Sequence, residues 1–420
     1  MSPLRILFLT PYVPSLLRGR PYHLIRHLHA AGHRVTVVTA YASEAERTGL
    51  QAVRETCDRL VAVRVPRLRS LWNCVGAVPR PAVPFQAVYT RSPALTAAVH
   101  GAVHDAARAD EPYDVLHVEH LRAALTGLSV GGLPRVYDAV DCMTRLLDKT
   151  RRLSGHCPSR VGAWLDAART RRFETQVTRR FDRVLVTSTV ERQALAALAG
   201  DPEAAERITA VPNGVDLEYF RPSGAPRDPA TLVFVGRMGY HANINAVVHM
   251  IRDILPLIWA RRPDVRFVVV GPDPPRGLRR AARHGAGRIS FKGYVPDVRP
   301  YVGRASLAVA PFVYAVGMQN KLLEAMAMAT PVVTTAPGAI PLGACDGEHV
   351  LVADGAPAFA QQVLRLLEDP VLRDRIGSGG QRYVAAAHDW TALTQRLLGL
   401  YAQSVAAFRR GPESRGGAQG

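Results

Sequence analysis

Residues 307–334 read LAVAPFVYAVGMQNKLLEAMAMATPVVT, and this stretch decides the fold class. The apolar run 307–310 predicts a buried strand, Gly317 lies in the loop that follows, and a helix is expected to begin near Asn320. The β-branched run 331–334 predicts a second strand. A strand, a helix and a second strand in succession form the repeating unit of a parallel sheet that has helices on its faces.

The same alternation extends in both directions along the chain. Further strands are predicted at 231–236, 265–271 and 289–292, and in the first half at 6–10, 34–40, 60–65, 115–118, 135–137 and 183–187. Helical periodicity fills the intervals, for example at 22–31, 94–109 and 246–260. The sequence therefore predicts an α/β fold with two tandem doubly wound Rossmann-like domains facing one cleft.

The domain boundary is expected in a segment rich in Pro, Gly, Asp and Glu. The 420 residues are too many for one compact core and suit two domains. Because residues 201–229 resemble a linker, we predict a first domain at 1–229 and a second at 230–389. Residues 390–408 are predicted to form a helix that crosses back to the first domain, and residues 409–420 a disordered tail.

Bulk composition is that of a globular protein without a membrane span. Hydrophobic residues make up 48% and charged residues 21% of the chain, and no run of about 18 apolar residues occurs. The first apolar run reads as a buried strand and not as a secretory signal, which favours a cytoplasmic location. The five cysteines are scattered without CxxC spacing, so neither a disulfide framework nor a zinc site is expected.

The net charge of +18 and the pI near 10.4 would attract nucleotides, nucleic acid or anionic lipid head groups. Arginine clusters such as Arg169 to Arg172 are interpreted as solvated helix faces. No interleaved aromatic residues accompany them, so nucleic acid is not an expected partner. Peripheral contact with the inner face of an anionic membrane stays open as an alternative.

Two of the predicted strand ends carry features that suit a phosphate. Gly19 follows the first strand and precedes a helix, whose N-terminus offers free N–H groups. Gly236 ends the strand 231–236, and the planar fork of Arg237 suits a diphosphate. Asn243 lies in the same loop region.

Two further loops complete the set of candidate site residues. The loop around Val295 has free backbone groups for a base edge, whereas Asp297 is interpreted as a helix cap. In the last loop, Gly317 precedes Asn320 and Lys321, and a cation in a first helical turn indicates an anionic partner. Glu324 lies one turn further on, where its carboxylate could accept hydrogen bonds from two ribose hydroxyls.

These pieces resemble the family 4 glycosyltransferases, which have the GT-B fold. The matching motifs are 211–216 (VPNGVD), 235–237 (VGR), 323–327 (LEAMA) and 331–333 (PVV). Within the family, the chain resembles a branch associated with exopolysaccharide assembly, and this resemblance rests on Tyr240, Asn243 and the block 317–321.

The resemblance implies an enzyme that transfers a hexose or N-acetylhexosamine from a nucleotide diphosphate sugar with retention of configuration. It implies neither a cofactor nor a metal ion beyond this co-substrate. By the same resemblance, Arg237 and Lys321 hold the diphosphate, Glu324 the ribose and the Val295 loop the base, while Gly19 allows closure over the phosphates.

The sequence departs from the family pattern at three places. Val316 stands where a second Glu often contacts the donor sugar. The stretch 241–243 lacks the usual Lys, and Lys321 is the candidate to substitute for it. Asp138 and Asp141 occur where many members have a His, and Asp141 is expected nearest the reacting centre.

The acceptor stays open at this stage. One alternative is an acidic rim around the site, which would suit an amino-bearing acceptor such as an aminocyclitol in antibiotic biosynthesis. The residues of this region are Glu119, Asp138 and Asp141, with His117 and His120 beside them. The high positive charge favours a lipid-linked or polysaccharide acceptor at a membrane instead. A GT-B nucleotide-sugar epimerase and a basic, non-enzymatic nucleic-acid-binding protein are the alternative functions.

Overall fold

The computed structural model describes residues 2–16, 19–80, 82–153, 158–222, 224–282, 285–315 and 317–411, with only the backbone described at 150–153 and 158–165. The chain divides into two compact units. The first unit comprises Met1–Val211 and Trp390–Gly420, and the second unit comprises Pro212–Asp389.

The first unit is built on a seven-stranded sheet in the order β3-β2-β1-β4-β5-β6-β7, with every strand pair parallel. Its strands are β1 (Arg5–Thr10), β2 (Arg34–Tyr41), β3 (Arg59–Arg64), β4 (Val115–Glu119), β5 (Arg135–Val140), β6 (Arg183–Val186) and β7 (Ile208–Ala210). The central strands are buried on both faces, as expected where helices cover a parallel sheet.

Eleven helices of the described chain connect these strands: α1 (Gly19–Ala30), α2 (Glu44–Thr48), α3 (Leu50–Arg54), α4 (Arg67–Ala77), α5 (Phe85–Tyr89), α6 (Pro93–Arg108), α7 (His120–Leu128), α8 (Met143–Leu153), α9 (Pro158–Arg180), α10 (Thr189–Ala199) and α11 (Pro202–Glu206). The caps follow the sequence: Ser188 accepts a hydrogen bond from the Glu191 amide at the start of α10, and Gly200 ends that helix in the left-handed conformation.

The second unit repeats the plan with a six-stranded parallel sheet in the order β10-β9-β8-β11-β12-β13. Its strands are β8 (Asp228–Val235), β9 (Arg266–Val270), β10 (Ile289–Gly293), β11 (Ala305–Ala310), β12 (Val332–Thr334) and β13 (Leu351–Val352). Its helices are α12 (His241–His249), α13 (Leu255–Trp259), α14 (Arg276–Ala282), α15 (Arg299–Arg304), α16 (Asn320–Ala327), α17 (Ala336–Ala339), α18 (Ala356–Glu368) and α19 (Pro370–Ala387). A π-helical turn, Met250–Ile254, joins α12 to α13.

The last helix, α20 (Trp390–Arg409), belongs to the first unit, where Leu397 and Tyr401 share a buried core with Leu24 and Ile25 of α1. The boundary lies between Val211 and Pro212, upstream of the predicted boundary at 229. The reason is local pairing within the second unit: the Val215 amide donates to the His388 carbonyl, and the His388 ring bonds the Asn213 carbonyl at 2.7 Å.

In both sheets the strand order reverses at one point, between β1 and β4 and between β8 and β11. Ligands of doubly wound sheets bind outside the carboxyl ends of the strands at this switch point. The predicted α/β class with two Rossmann-like domains is therefore confirmed. Each unit positions its candidate residues at the end of a central strand.

Several further expectations from the sequence can be compared with the structure. The short strands β7 and β13 were not predicted, and no helix in the described chain is long and apolar enough to cross a bilayer. Cys57, Cys74, Cys142 and Cys345 are free thiols, whereas Cys157 lies outside the described residues. Residues 412–420 of the predicted disordered tail also lie outside them.

Candidate functional site

The turn after β8 is built on two glycines that approach each other closely. A Cβ at Gly271, where φ is +147°, would lie 2.0 Å from the Gly236 carbonyl oxygen. A Cβ at Gly236 would in turn lie 2.8 Å from Asn243 Nδ2 and 3.2 Å from Lys321 Nζ. Glycine at both positions therefore leaves room for a polar group to reach the end of β8.

Asn243 connects the two segments that supply the predicted cations. Its Oδ1 accepts a hydrogen bond from Lys321 Nζ at 2.6 Å, and its Nδ2 donates to the Arg237 carbonyl at 2.9 Å. The side chain is 3% exposed at the start of α12, so the contact is fixed by packing. The structure thus brings Gly236, Arg237, Asn243 and Lys321 together at the switch point of the second sheet.

The Lys321 ammonium group is partly buried and has only neutral partners. Besides Asn243, its Nζ reaches Gln319 Oε1 at 3.4 Å, and the rings of Phe234 and Phe312 lie 5.3 and 5.1 Å away. Among the described residues, no carboxylate oxygen lies within 4.0 Å of Nζ. Burial lowers the pKa of Lys321 to about 8, although the charge of Glu324 opposes the shift. Such a cation is set to receive an anion.

Glu324 lies one turn after Lys321 on α16. Burial raises the pKa of its carboxyl group to about 7, and the charge of Lys321 opposes that shift. Asn320, the exposed first residue of the same helix, accepts a hydrogen bond from Asn213 Nδ2 at 3.0 Å. The helix N-terminus, the cation and the carboxylate therefore follow one another along one element, as the sequence predicts.

The Arg237 side chain, unlike that of Lys321, is exposed and makes few contacts. It is 74% exposed, and its Nε lies 3.7 Å from Asp273 Oδ2, beyond hydrogen-bonding distance. Asp273 follows β9 with φ of +61°, so the pair joins two neighbouring strand ends. Because little holds the guanidinium group in place, it is free to turn toward a ligand.

The remaining donor-side candidates lie on neighbouring loops. Gly317 is buried with φ of +61°, a conformation that favours glycine. Val295 is half-buried after β10. Asp297 precedes Val298, the N-cap residue of α15, and its Oδ1 accepts a hydrogen bond from the Arg299 amide at 2.9 Å. Val316, where the family pattern is broken, lies outside the described residues.

An aromatic pair beside this site, His241 and Tyr314, is not among the residues predicted from the sequence. The Tyr314 hydroxyl meets the Nδ1 atom of His241 and accepts a hydrogen bond from Asn245 Nδ2 at 3.2 Å. The two rings stack with centroids 5.5 Å apart. The contact joins residues 73 positions apart, so no local pattern could have shown it.

The first unit has its own polar cluster at the carboxyl ends of β1, β4 and β5. Arg20, the second residue of α1, places Nε 2.8 Å from Asp138 Oδ2 and Nη1 3.0 Å from the Val211 carbonyl. Tyr401 of α20 bonds His117 Nδ1 at 2.7 Å, and the Nε2 atom of this imidazole lies 3.7 Å from Glu119 Oε2 and 3.8 Å from Asp138 Oδ2. Arg20 is not among the residues predicted from the sequence, because its partner Asp138 lies 118 positions away.

The predicted acidic rim is not formed by Glu119 and Asp138. Both side chains have 0% exposed surface, and Arg20 forms an ion pair with Asp138. Burial raises the pKa of Glu119 to about 7, with the charge of Arg20 opposing it. These carboxyl groups therefore fix the strand ends and offer no negative surface to an amino-bearing acceptor.

Two strained turns follow the same strands. His120 and Val140 have φ of 65° and 66°, an outlying conformation for a β-branched residue such as Val140. The second turn presents Asp141, whose Oδ1 accepts a hydrogen bond from Thr187 at 3.2 Å. Burial and the nearby Glu191 charge raise the pKa of Asp141 to about 6. Burial lowers the pKa of His120 to about 3, so its ring is neutral.

Among the described residues, one group of ligating side chains is close enough to share a metal ion: His117, Glu119 and Asp138, whose donor atoms lie within 4.8 Å of one another. Arg20 already neutralises Asp138 at 2.8 Å, and a proton on Glu119 would complete the charge balance. A dication would add charge beside a buried guanidinium group, so the cluster is better suited to protons than to a metal.

Gly19 begins α1, but a Cβ there would meet only His23, at 3.5 Å, an ordinary contact. Among the described residues of the first unit, no contact requires glycine at this position. Its role in closure over the phosphates stays a prediction.

Family comparisons match both units. A model of the family "Glycosyl transferases group 1" matches residues 229–369, and a model of a "Glycosyl transferase 4-like domain" matches residues 20–214. Together the two matches include the candidate residues of both units.

Two relatives illustrate the sequence similarity. The D-inositol 3-phosphate glycosyltransferase 1 of Catenulispora acidiphila is 30% identical over 391 residues, which cover 86% of this chain and 85% of the relative. The phosphatidyl-myo-inositol mannosyltransferase of Mycobacterium tuberculosis is 32% identical over 235 residues. That match covers 52% of this chain and spans 58% of the length of the mannosyltransferase.

Solved structures share the fold at low identity. The Anabaena Alr3699/HepE complex with UDP and glucose has a TM-score of 0.69 at 17% identity, covering 95% of this chain and 100% of that chain. Sucrose-phosphate synthase from Thermosynechococcus elongatus has a TM-score of 0.68 at 18% identity, covering 96% and 100%.

Proposed function

The chain belongs to the group 1 glycosyltransferases, and from this premise we propose that it transfers a hexose or N-acetylhexosamine from a nucleotide diphosphate sugar to an acceptor hydroxyl. We propose that configuration is retained and that no metal ion takes part. Retention is proposed on the similarity of the 323–327 helix and the 235–237 turn to family 4 enzymes.

The observation that supports this function most directly is the Lys321 ammonium group, which has neutral partners and lies in the first turn of α16. Breaking the bond between sugar and diphosphate leaves negative charge on the departing phosphate oxygens. Fixed positive charge and helix N–H groups stabilise that charge without reorganising during the reaction. Lys321 and the α16 N-terminus supply such fixed charge from protein groups, and the exposed Arg237 adds a second cation when it turns toward the diphosphate.

Glu324 is proposed to bind the ribose, with the loop at Val295 near the base and Gly317 next to the phosphates. A carboxylate one turn after the phosphate-binding Lys321 can accept hydrogen bonds from both ribose hydroxyls. Asn243 is a positioning residue, because it fixes both Lys321 and the backbone of Arg237.

For the acceptor we propose a lipid-linked or polysaccharide intermediate. The aminocyclitol alternative depended on an acidic rim, and Glu119 and Asp138 are fully buried. The two relatives described above are named for acting on inositol phosphate and phosphatidyl-myo-inositol, so anionic acceptors occur among similar proteins. In the first unit, half-buried Asp141 is the carboxylate assigned to the acceptor hydroxyl, since a pKa of about 6 suits a general base.

The experiment that tests the function is calorimetric titration with nucleoside diphosphates and their sugars in EDTA, supported by thermal shift. We expect one nucleotide to bind and to raise the melting temperature by several degrees. Glu324→Gln should weaken its affinity about 10- to 100-fold, because a hydrogen bond to a charged group is lost.

The matched control is Glu368→Gln, which changes an exposed carboxylate that pairs with Arg261 in the same unit. This variant should bind the nucleotide as the wild type does. Equal affinity in wild type and Glu324→Gln would remove the ribose assignment. Binding that disappears in EDTA and returns with a divalent cation would contradict metal independence.

The pH dependence of kcat/KM should be bell-shaped, with an alkaline limb set by Lys321 and an acid limb set by Glu324 and, at lower pH, by protonation of the proposed base Asp141. As pH rises through about 8, Lys321 loses its proton and its attraction for the diphosphate, so kcat/KM falls. As pH falls through about 7, Glu324 gains a proton and accepts hydrogen bonds less well, so kcat/KM also falls. The residual activity of Lys321→Gln should lack the alkaline limb, and an unchanged limb in that variant would assign it to another group.

A further inference from the structure

The helix α4 (Arg67–Ala77) buries small and polar side chains and exposes large apolar ones, the opposite of an ordinary surface helix. Its inward residues are small or polar: Ser70 and Ala77 are buried, and Asn73 and Cys74 are partly covered. Its outward residues are large and apolar, with Leu68 72%, Leu71 58%, Trp72 72% and Val75 59% exposed. Both sets follow the i, i+3, i+4, i+7 spacing of a helix face, so a complete apolar stripe points to solvent.

Exposed large apolar side chains are concentrated on α4 and the residue that follows it. Of the thirteen large apolar side chains that are exposed in the described part of the chain, five lie between Leu68 and Val78. Single exposed apolar residues are ordinary, but a contiguous patch marks a surface that binds something apolar.

The orientation of α4 is fixed by specific contacts. Asn73 Nδ2 donates to the carbonyls of Val88 at 3.0 Å and Arg91 at 2.8 Å. At the other end, the Arg169 guanidinium of α9 donates to the carbonyls of Ala77 and Val78, each at 2.7 Å. Rolling the apolar stripe inward would break these hydrogen bonds, so the helix is held with the stripe outward.

The charge around the stripe has a single sign in the sequence. No Asp or Glu occurs between Asp58 and Asp105, whereas this interval contains six arginines. Five of them are exposed on or beside α4, namely Arg64, Arg67, Arg69, Arg80 and Arg91. A helix with Leu and Trp on one face and Arg at its borders has the composition of an element that lies in a membrane interface. Arginine also attracts the anionic lipid head groups of such an interface.

We propose that the outward face of α4, with Leu68, Leu71, Trp72, Val75 and Val78, docks on the surface of an anionic bilayer. The apolar side chains enter the boundary between head groups and acyl chains, and the flanking arginines contact lipid phosphates. A protein partner of acidic surface would match the arginines but would leave Trp72 and its neighbours without an apolar complement. The docking extends the lipid-linked acceptor proposed above.

The test is flotation of the full chain with phosphatidylglycerol/phosphatidylcholine vesicles and with pure phosphatidylcholine vesicles. The assay contains no donor and no acceptor, so its result does not depend on transferase activity. We expect binding to the anionic vesicles and much weaker binding to the zwitterionic ones. Leu71→Glu/Trp72→Glu should reduce the partition more than about tenfold, since burial of one large apolar side chain is worth at least that factor.

Two controls make the result specific to α4. Val371→Glu changes another apolar side chain that is 80% exposed but lies on α19 in the second unit, and it should float as the wild type does. Trp72 emission should shift to the blue with anionic vesicles, and the shift should be absent in Trp72→Phe. The affected side chains are exposed, so the melting temperature of the double variant should stay unchanged.

Three outcomes would overturn the proposal. The first is absence of binding to anionic vesicles, and the second is binding that Leu71→Glu/Trp72→Glu leaves intact. The third is a stable dimer in light scattering that this double variant dissociates, because a second copy of the chain would then cover the face. Arg67→Ser/Arg69→Ser supplies a separate variant, in which anionic binding should fall and become less sensitive to salt.

Discussion

Replacing Lys321 by alanine should lower kcat/KM by about 100- to 1,000-fold, the effect of removing one preorganised charge-stabilising group. The variant loses the partly buried ammonium group that meets Asn243 Oδ1 at 2.6 Å and lies near the rings of Phe234 and Phe312. No ion pair is broken among the described residues, so the fold should persist. The measurement is steady-state kinetics with the donor found by calorimetry, together with a thermal melt.

Lys321→Arg should not restore full activity, although it keeps the charge. The Lys321 Nζ atom donates to Asn243 Oδ1 at 2.6 Å, and the longer, planar guanidinium group would have to shift away from this partner. The control is Arg261→Ala, which removes an exposed cation of the same unit that pairs with Glu368. Near-normal kcat/KM in Lys321→Ala would remove the central charge from the proposed mechanism.

The positions of the candidate residues in the second unit could be predicted because each follows a strand within a short motif. Gly236 and Arg237 come directly after β8, and Lys321 and Glu324 share one helix. What the sequence could not show is their contact. Asn243 and Lys321 are 78 residues apart, and only the order of β8 and β11 in the sheet brings their loops together.

In the first unit the prediction that failed concerns burial. Glu119 and Asp138 are expected on an acidic rim in the alternative that has an amino-bearing acceptor, but both are fully buried. Arg20, 118 residues from Asp138, is buried beside it, and their ion pair offsets the desolvation cost of that carboxylate. A linear pattern does not show which distant cation neutralises a carboxylate.

The short strands and the α4 helix show two other limits of pattern reasoning. β7 has three residues and β13 has two, too few to display a period. In α4 the period is clear, but periodicity alone would orient Leu68, Leu71 and Trp72 toward the core. The hydrogen bonds of Asn73 and Arg169 orient them outward instead.

Arg237→Ala should lower kcat/KM by about 100-fold or more while leaving the melting temperature unchanged, because the guanidinium group acts on the departing diphosphate. The side chain is 74% exposed and its nearest carboxylate, Asp273, is 3.7 Å away, so the folded state loses little. Arg237→Lys should be intermediate, since it keeps a charge and loses the planar fork. Arg279→Ala, an exposed arginine of α14, is the control.

The sharpest form of this prediction combines the two cations. If Arg237 and Lys321 hold the same diphosphate, Arg237→Ala/Lys321→Ala should lose less activity than the product of the two single losses, because either loss already misplaces the phosphates. Two groups that act on separate ligands would give the full product instead. A strictly multiplicative double variant, or a large drop in melting temperature for Arg237→Ala alone, would therefore contradict a shared diphosphate site built on the ends of β8 and β11.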